Sequence, residues 1–253
     1  MKITVLGTGT STGVPQMGCF CEVCRSANAK DKRLRSSAIL ECDNGAEILI
    51  DCGPDFRQQM LRRTFHKLSG VLITHEHYDH VGGIDDLRPY SVFGNVNLYA
   101  DTNCAAHMME RLPYCFEEHK YPGVPQIRLN RVEPGKPFTI DGVEIMPFRI
   151  MHGRLPILGF RVGRFAYITD MKQCPEETLG MLGGIDTLIV NGLRYEPHAS
   201  HQTIPEAIAF ARKIGARRSF ITHLSHQAGM HEEIEKSLPS GIHVAYDGLE
   251  III

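Results

Sequence analysis

Short runs of β-branched and apolar residues recur between glycine-rich turns along the first half of the chain, at residues 3–6, 37–41, 47–51, 70–74 and 97–99. After a proline-containing connection at 121–125 the pattern starts again, at 138–140, 143–150, 159–162, 165–169, 187–191 and 219–222. Runs this short, rich in Val, Ile, Thr, Tyr and Phe and bounded by turn residues, predict strands. Helical spacing is clearest over 204–214, where Ala207, Ile208 and Ala211 share a face and Thr203 and Glu206 have the spacing of a capping box. Residues 55–68 are a second predicted helix. Two strand-rich halves with a few helices outside predict two sheets sandwiched between helical layers.

A chain of 253 residues, 43% of them hydrophobic, buries a full core as one domain spanning 1–253. The formal charge of −2 gives no global argument for a nucleic-acid partner, and the basic stretches at 30–35 and 212–218 read as solvated surface. The opening apolar run turns at once into glycines and is too short for a secretory core. No apolar stretch approaches the roughly 20 residues of a membrane span, so a soluble, cytoplasmic protein without a membrane partner is expected. Eight cysteines in such a protein read as metal ligands or small buried hydrophobes, the latter for Cys42, Cys52, Cys104, Cys115 and Cys174. Gly7, Gly9 and Gly13 do not have dinucleotide-loop spacing and no P-loop lysine follows; a tight turn that lets backbone approach a site is the better reading.

The chemistry concentrates in THEHYDHVGG at 74–83, which places His75, His77, Asp79 and His80 in one turn after an apolar strand. Imidazole and carboxylate are ligands for zinc-like and manganese-like ions. His75 and His77 alternate on an extended segment and point the same way, whereas Asp79 and His80 lie past the turn and face a second position. Further candidate ligands, His152, Asp170 and His223, each end or follow a short apolar run, and seven ligands suffice for two ions. A second cluster, Cys19, Cys21 and Cys24, forms C-x-C-x-x-C in a glycine-flanked loop, where three thiolates can converge on one ion and a fourth ligand closes a tetrahedral site.

These residues resemble the metallo-beta-lactamase superfamily, whose His-x-His-x-Asp-His signature is matched by His75, His77, Asp79 and His80. The resemblance spans almost the whole chain and implies the αββα sandwich of two mixed sheets flanked by helices, with metals at one edge. By the family pattern, His75, His77 and His152 hold one ion, Asp79, His80 and His223 the other, and Asp170 bridges them. Two such ions share a hydroxide, and hydrolysis is the reaction expected. Asp51 and Gly53 in LIDCGPD fit the family's Asp-x-Gly turn, in which the Asp supports the site from behind.

The chain also resembles the PhnP-type phosphodiesterases, a branch related to tRNA 3′-processing nucleases, in GTGTSTGVPQ, in RSS at 35–37, in DDLRP at 85–89 and in DGLEI near the end. That resemblance implies that His226 joins Cys19, Cys21 and Cys24 in a structural zinc site. It implies a small, linear or cyclic, phosphodiester substrate, with His201 as phosphate contact and proton donor and His198 beside it as a substrate-binding or supporting residue. Asp79 is the ligand expected to be indispensable for catalysis. Zinc or manganese suits the paired site, and homodimerisation follows from the branch by analogy. Two other readings share parts of this pattern: a thioester or lactone hydrolase of the glyoxalase II kind, and a non-catalytic RNA-binding relative. A nucleic-acid substrate is disfavoured because no long basic insertion is present to grip one.

Overall fold

The computed structural model describes residues 1–117 and 122–253. In the first half run β1 (Lys2–Gly7), β2 (Ser37–Glu41), β3 (Glu47–Ile50), β4 (Gly70–Leu72), β5 (Val96–Ala100) and β6 (Ile127–Arg131). In the second run β7 (Phe138–Ile140), β8 (Val143–His152), β9 (Leu155–Val162), β10 (Phe165–Tyr167), β11 (Thr187–Asn191), β12 (Arg218–Thr222) and β13 (Ile242–Val244), and the chain closes with β14 (Glu250–Ile252). Each half builds a seven-stranded sheet, β14-β1-β2-β3-β4-β5-β6 and β13-β12-β11-β10-β9-β8-β7. In both, antiparallel hairpins give way to parallel strands, from β3 to β4 in the first sheet and from β10 to β11 in the second. The two halves are therefore alike in design, except that β14 crosses back to pair antiparallel with β1.

Burial explains why the strands read as continuous apolar runs. In β3, Ile48 and Ile50 join Ile3, Val5 and Leu72 against Phe160, Tyr167, Ile189 and Phe220 of the other sheet. Leu49, between them, faces the opposite way with Ile39, Val71 and Leu98. Alternate side chains of a strand point to opposite faces, so a strand covered on both sides has to be apolar throughout. The outer face of the first sheet is covered by α4 (Thr102–Arg111) and by a 3-10 segment at Ile84–Phe93. The second is covered by α7 (Ile204–Ile214), whose Ile204, Ala207 and Ala211 pack on Ile168, Leu188 and Val190. The layer order is αββα, as expected. Shorter helices complete the set: α1 (Glu22–Arg25), α2 (Phe56–Met60), α3 (Tyr78–Val81), α5 (Pro113–Phe116), α6 (Glu176–Met181) and α8 (His231–Ser237). No helix among the described residues is long and apolar enough to cross a membrane.

The capping box of α7 forms as the spacing predicts, with Thr203 accepting from the Glu206 backbone and Glu206 from that of Thr203, and Gly215 closes the helix in the left-handed region. The helix predicted over 55–68 shrinks to α2, because residues 61–67 are almost all exposed and would give a longer helix no face to bury. Strands β6, β13 and β14 and helix α4 were not anticipated; β6 alternates polar and apolar residues at a sheet edge and looks like loop, and α4 has only an Asp101 cap to announce it. The proline-containing connection begins at residue 121, which lies outside the described residues. The basic stretch at 30–35 is not solvated surface throughout. Arg33 is buried, donating to Thr8 Oγ1 at 2.9 Å and the Ala245 carbonyl at 2.8 Å.

Two glycines hold the turn that bears the candidate ligands Asp79 and His80 against its support. A Cβ on Gly53 would lie 2.0 Å from the Asp79 carbonyl oxygen, and one on Gly83 2.1 Å from the Gly53 carbonyl oxygen. The 51–55 turn and the 78–83 turn are thus in backbone contact, which only glycine permits. Gly53→Ala is expected to lower the unfolding free energy by about 1–3 kcal/mol through this overpacking, readable as a lower urea midpoint with an unchanged slope.

Candidate metal centre

The site is built from strand ends. Chain direction carries β3, β4, β8, β10 and β12 to the same end of the sandwich, and the residues at or just beyond them are Asp51, His75, His152, Asp170 and His223. Asp51, Asp170 and His223 take left-handed backbone conformations, at φ 61°, 56° and 59°. Non-glycine residues adopt that region at a cost of about 1 kcal/mol or more. Three of them clustered at one end of the sandwich, one from the first sheet and two from the second, turn the chain sharply and throw their side chains into a shared space.

Each predicted ligand arrives there. One group of converging atoms comes from His75, His77 and His152, and a second from Asp79, His80, Asp170 and His223, each within 4.8 Å of the others in its group. Asp170 also groups with His152 and His201, so its carboxylate stands between the two sets. Oδ2 of Asp170 lies 3.2 Å from His80 Nε2, and Oδ1 lies 3.1 Å from His223 Nε2 and 3.6 Å from His201 Nδ1. Asp79 Oδ2 is 3.1 Å from His80 Nε2.

A second layer orients these rings. His80 donates Nδ1–H to Asp51 Oδ2 at 2.7 Å, which turns Nε2 into the site. Asp51 Oδ1 accepts from the Thr74 backbone at 2.8 Å, and Thr74 Oγ1 sits 3.0 Å from His75 Nδ1. His152 donates Nδ1–H to the Ser200 carbonyl at 2.8 Å. Ser36 Oγ lies 3.0 Å from His223 Nδ1, and Thr169 Oγ1 donates to Asp170 Oδ2 at 2.6 Å. Such partners fix tautomer and ring orientation. Asp51 was legible from its turn motif. Ser36, Thr169 and Ser200 were not assigned from sequence; a hydroxyl next to Asp170 is the only signal for Thr169, Ser36 lies 187 positions from the His223 it meets, and a backbone carbonyl leaves no signal.

The electrostatics separates the rings. Burial opposes charge on Asp170, yet His223 and His80 beside it hold its carboxyl well below the usual carboxylate range. Burial likewise works against Asp79, and His80 again outweighs it. Burial opposes a charge on His80 too, but Asp79, Asp170 and Asp51 raise it well above the ordinary histidine value. Burial keeps His75, His77 and His223 below that value, hence neutral and with a free lone pair, the form in which imidazole binds metal. His201 Nδ1 is buried without a hydrogen-bond partner, and His80 Nε2 meets only the carboxylates of Asp79 and Asp170. Ionised carboxylates and neutral imidazoles converging in this way suit a divalent ion, which would take over the positive charge that His80 otherwise supplies.

His201 stands in the same wall, its ring centroid 4.6 Å from that of His152 and 5.0 Å from those of His223 and His198. Burial pushes it down to about 3. His198 is more open and is steadied by Ser200, whose backbone N–H donates to its Nδ1 at 3.3 Å.

Cys19, Cys21, Cys24 and His226 form the third cluster, with His226 Nδ1 3.5 Å from Cys19 Sγ and 3.4 Å from Cys21 Sγ. The Cys24 backbone N–H leads the effects that bring the Cys21 thiol down to about 6, while burial pushes Cys24 up to about 11. Three thiols and one imidazole within ligand reach suit a closed tetrahedral site. Cys19, Cys21 and Cys24 are free thiols.

The profile of the Beta-lactamase superfamily domain matches residues 46–224. A crystal structure described as a new diphosphatase from the PhnP family superposes with a TM-score of 0.92 at 38% identity, covering 99% of this chain and 96% of that one. Zinc-bound PqqB from Methylobacterium extorquens superposes with a TM-score of 0.81 at 21% identity over the full length of both chains, a likeness of fold. A Porphyromonas gingivalis protein named octanoyltransferase is 48% identical over 254 residues; the alignment takes in 100% of this chain, which spans only 52% of that protein.

In the metal-free protein His80 is expected to remain protonated well above pH 6.5, because three carboxylates face it. The stability this contributes is present below the unfolded-state value and is lost as pH rises through the higher folded-state value. Asp51→Asn removes one of the three charges, so the ring should titrate at lower pH than in the parent, as followed by imidazole NMR. An unmoved titration would show that Asp51 does not act on His80 electrostatically.

Proposed function

Because the chain belongs to the beta-lactamase superfamily and, within it, to the PhnP family, we propose that it is a metal-dependent hydrolase of small phosphodiesters. The observation that carries this reading is Asp170 standing between two ligand groups with His201 facing it. In this reading His75, His77 and His152 hold one ion, Asp79, His80 and His223 hold the other, and Asp170 serves both. Zinc or manganese fits the donors. Cys19, Cys21, Cys24 and His226 hold a structural zinc that pins the N-terminal loop beside the site. When bound, a divalent pair supplies Lewis acidity to a phosphoryl oxygen and makes water acidic enough to react near neutral pH.

The chain's own residues do the rest. His201 turns Nδ1 toward Asp170, which leaves Nε2 to contact the phosphate and carry a proton to the leaving oxygen. Burial keeps the free ring neutral, and an entering phosphate brings the negative charge that favours its protonation. His198 lines the approach to His201. An alkoxide leaves poorly without such a proton, so a phosphodiester needs this histidine more than a thioester does. That need, together with the cysteine and histidine cluster, favours the phosphodiester reading over a glyoxalase-like thioester or lactone hydrolase. A retired, RNA-binding relative has no use for a complete ligand set. Octanoyl transfer is the name of a protein of which this chain matches half. A diphosphate is a second reading of the same chemistry, favoured by the PhnP-family neighbour described as a diphosphatase.

The test is steady-state hydrolysis of bis(p-nitrophenyl) phosphate, a 2′,3′-cyclic nucleotide and a glutathione thioester by metal-reconstituted protein. Turnover of a diester without the thioester is the expected result; thioester turnover alone would overturn the proposal. Asp79→Ala or His80→Ala should cost about 1,000-fold or more in kcat, the several kcal/mol that a Lewis-acid ion supplies, with a matching loss of bound metal by elemental analysis. Cys21→Ala should lower the melting temperature and release one ion while leaving the remaining metal in place. For His201→Ala the loss should be about 100-fold or more on an alkyl leaving group and under about 10-fold on nitrophenolate. Equal losses on both would reduce His201 to a phosphate contact.

A further inference from the structure

We propose that Arg35 forms a second anion subsite beside the metal centre and holds the distal phosphate of a diphosphate substrate. This rests on the phosphoryl-hydrolase reading and selects a substrate class within it.

Arg35 is placed by contacts on three sides. Its backbone N–H donates to Asp55 Oδ2 at 2.8 Å, and its Nε lies 3.0 Å from the same oxygen, so one carboxylate fixes both ends of the residue. Its Cβ lies 3.8 Å from where a Cβ on Gly53 would sit, beside the backbone of the ligand Asp79. The next residue, Ser36, holds His223. The guanidinium then folds over the Gly13 turn: a Cβ on Gly13 would come within 3.3 Å of Nη1 and 3.6 Å of Cδ, and Gly13 is left-handed at φ 64°. Arg35 is therefore packed between the 51–55 turn, which touches the backbone of Asp79, and the Gly13 turn, one residue along the chain from the Ser36 that meets His223.

Its chemistry is not used up there. Asp55 takes the Nε side, and among the described residues no other partner engages the two Nη groups. The side chain is about a quarter exposed, 26% against 12% for Asp55. A rigid guanidinium with open N–H groups binds phosphate in a fork, which a lysine cannot reproduce. The Asp55 carboxylate balances its charge, so what the guanidinium still offers a phosphate is its open Nη donors. The fit of a diphosphate also agrees with how the reaction ends. Water oxygen bonds to the phosphorus at the metal centre, the bridging P–O bond breaks, and its electron pair leaves on the distal phosphate. The two protons of water pass to the products and solvent. A phosphate leaves without prior protonation, so on such a substrate His201 matters little and Arg35 matters most.

The test compares the metal-reconstituted parent with Arg35→Gln and Arg35→Lys. Two readouts are taken: calorimetric binding of methylenediphosphonate against methylphosphonate, and KM for diadenosine diphosphate against bis(p-nitrophenyl) phosphate. Arg35→Gln should weaken methylenediphosphonate binding and raise the diphosphate KM by about 10-fold or more, the worth of a charge-assisted pair, with methylphosphonate and the monophosphate diester changed by under about 2-fold. Arg35→Lys should recover only part. Equal losses on both members of each pair would mean that Arg35 merely clamps the loops and would overturn the subsite, as would no loss at all. A parent that turns over bis(p-nitrophenyl) phosphate but binds methylenediphosphonate no better than methylphosphonate would refute the subsite and leave the hydrolase reading intact. Selective diphosphonate binding in a parent that hydrolyses neither substrate would do the reverse.

Discussion

Three buried carboxylates, Asp51, Asp79 and Asp170, share one corner at the end of the sandwich, and they can coexist only with positive charge among them. In the protein alone His80 supplies that charge, touching all three. Removing ions from water costs several kcal/mol each unless they are paired and hydrogen-bonded. The corner is therefore a place where the fold carries an electrostatic cost that a bound divalent ion would offset. The bent strand ends, the hydroxyls behind the ligands and the glycine contacts between turns all serve to bring these groups together.

The order of elements was largely legible because burial on both faces forces each strand to be apolar, and turns interrupt the runs. The metal corner was legible for a different reason: His75, His77, Asp79 and His80 are adjacent in sequence, so their spacing survives without any knowledge of folding. His152, Asp170 and His223 are scattered, and it is the parallel arrangement of β10, β11 and β12 that brings the last two to one edge. What stayed hidden was whatever depends on tertiary placement. The Ser200 carbonyl has no side-chain signature, β6 carries polar residues because it is an edge, and Arg33 looks like any surface arginine until Thr8 and Ala245 surround it.

The glycine-rich opening segment has a similar lesson. A Cβ on Gly7 would fall 2.0 Å from the Arg35 carbonyl oxygen, and Gly9 bridges both Arg35 and Leu224. The glycines let one strand of chain lie flat between residues 33–36 and the segment after His223. They bring backbone to backbone, and the resulting seam joins the two halves directly behind the ligands.

The pairing of β14 with β1 matches Lys2 with Ile252 and Thr4 with Glu250, across nearly the whole chain. Contacts so distant in sequence form late, since the loop they close must first be brought together. Until then the β1 edge of the first sheet has unpaired backbone groups, a template for other strands. In the folded sheet β14 covers that edge over three residue pairs and becomes the new edge itself, so the template is shortened to a three-residue strand.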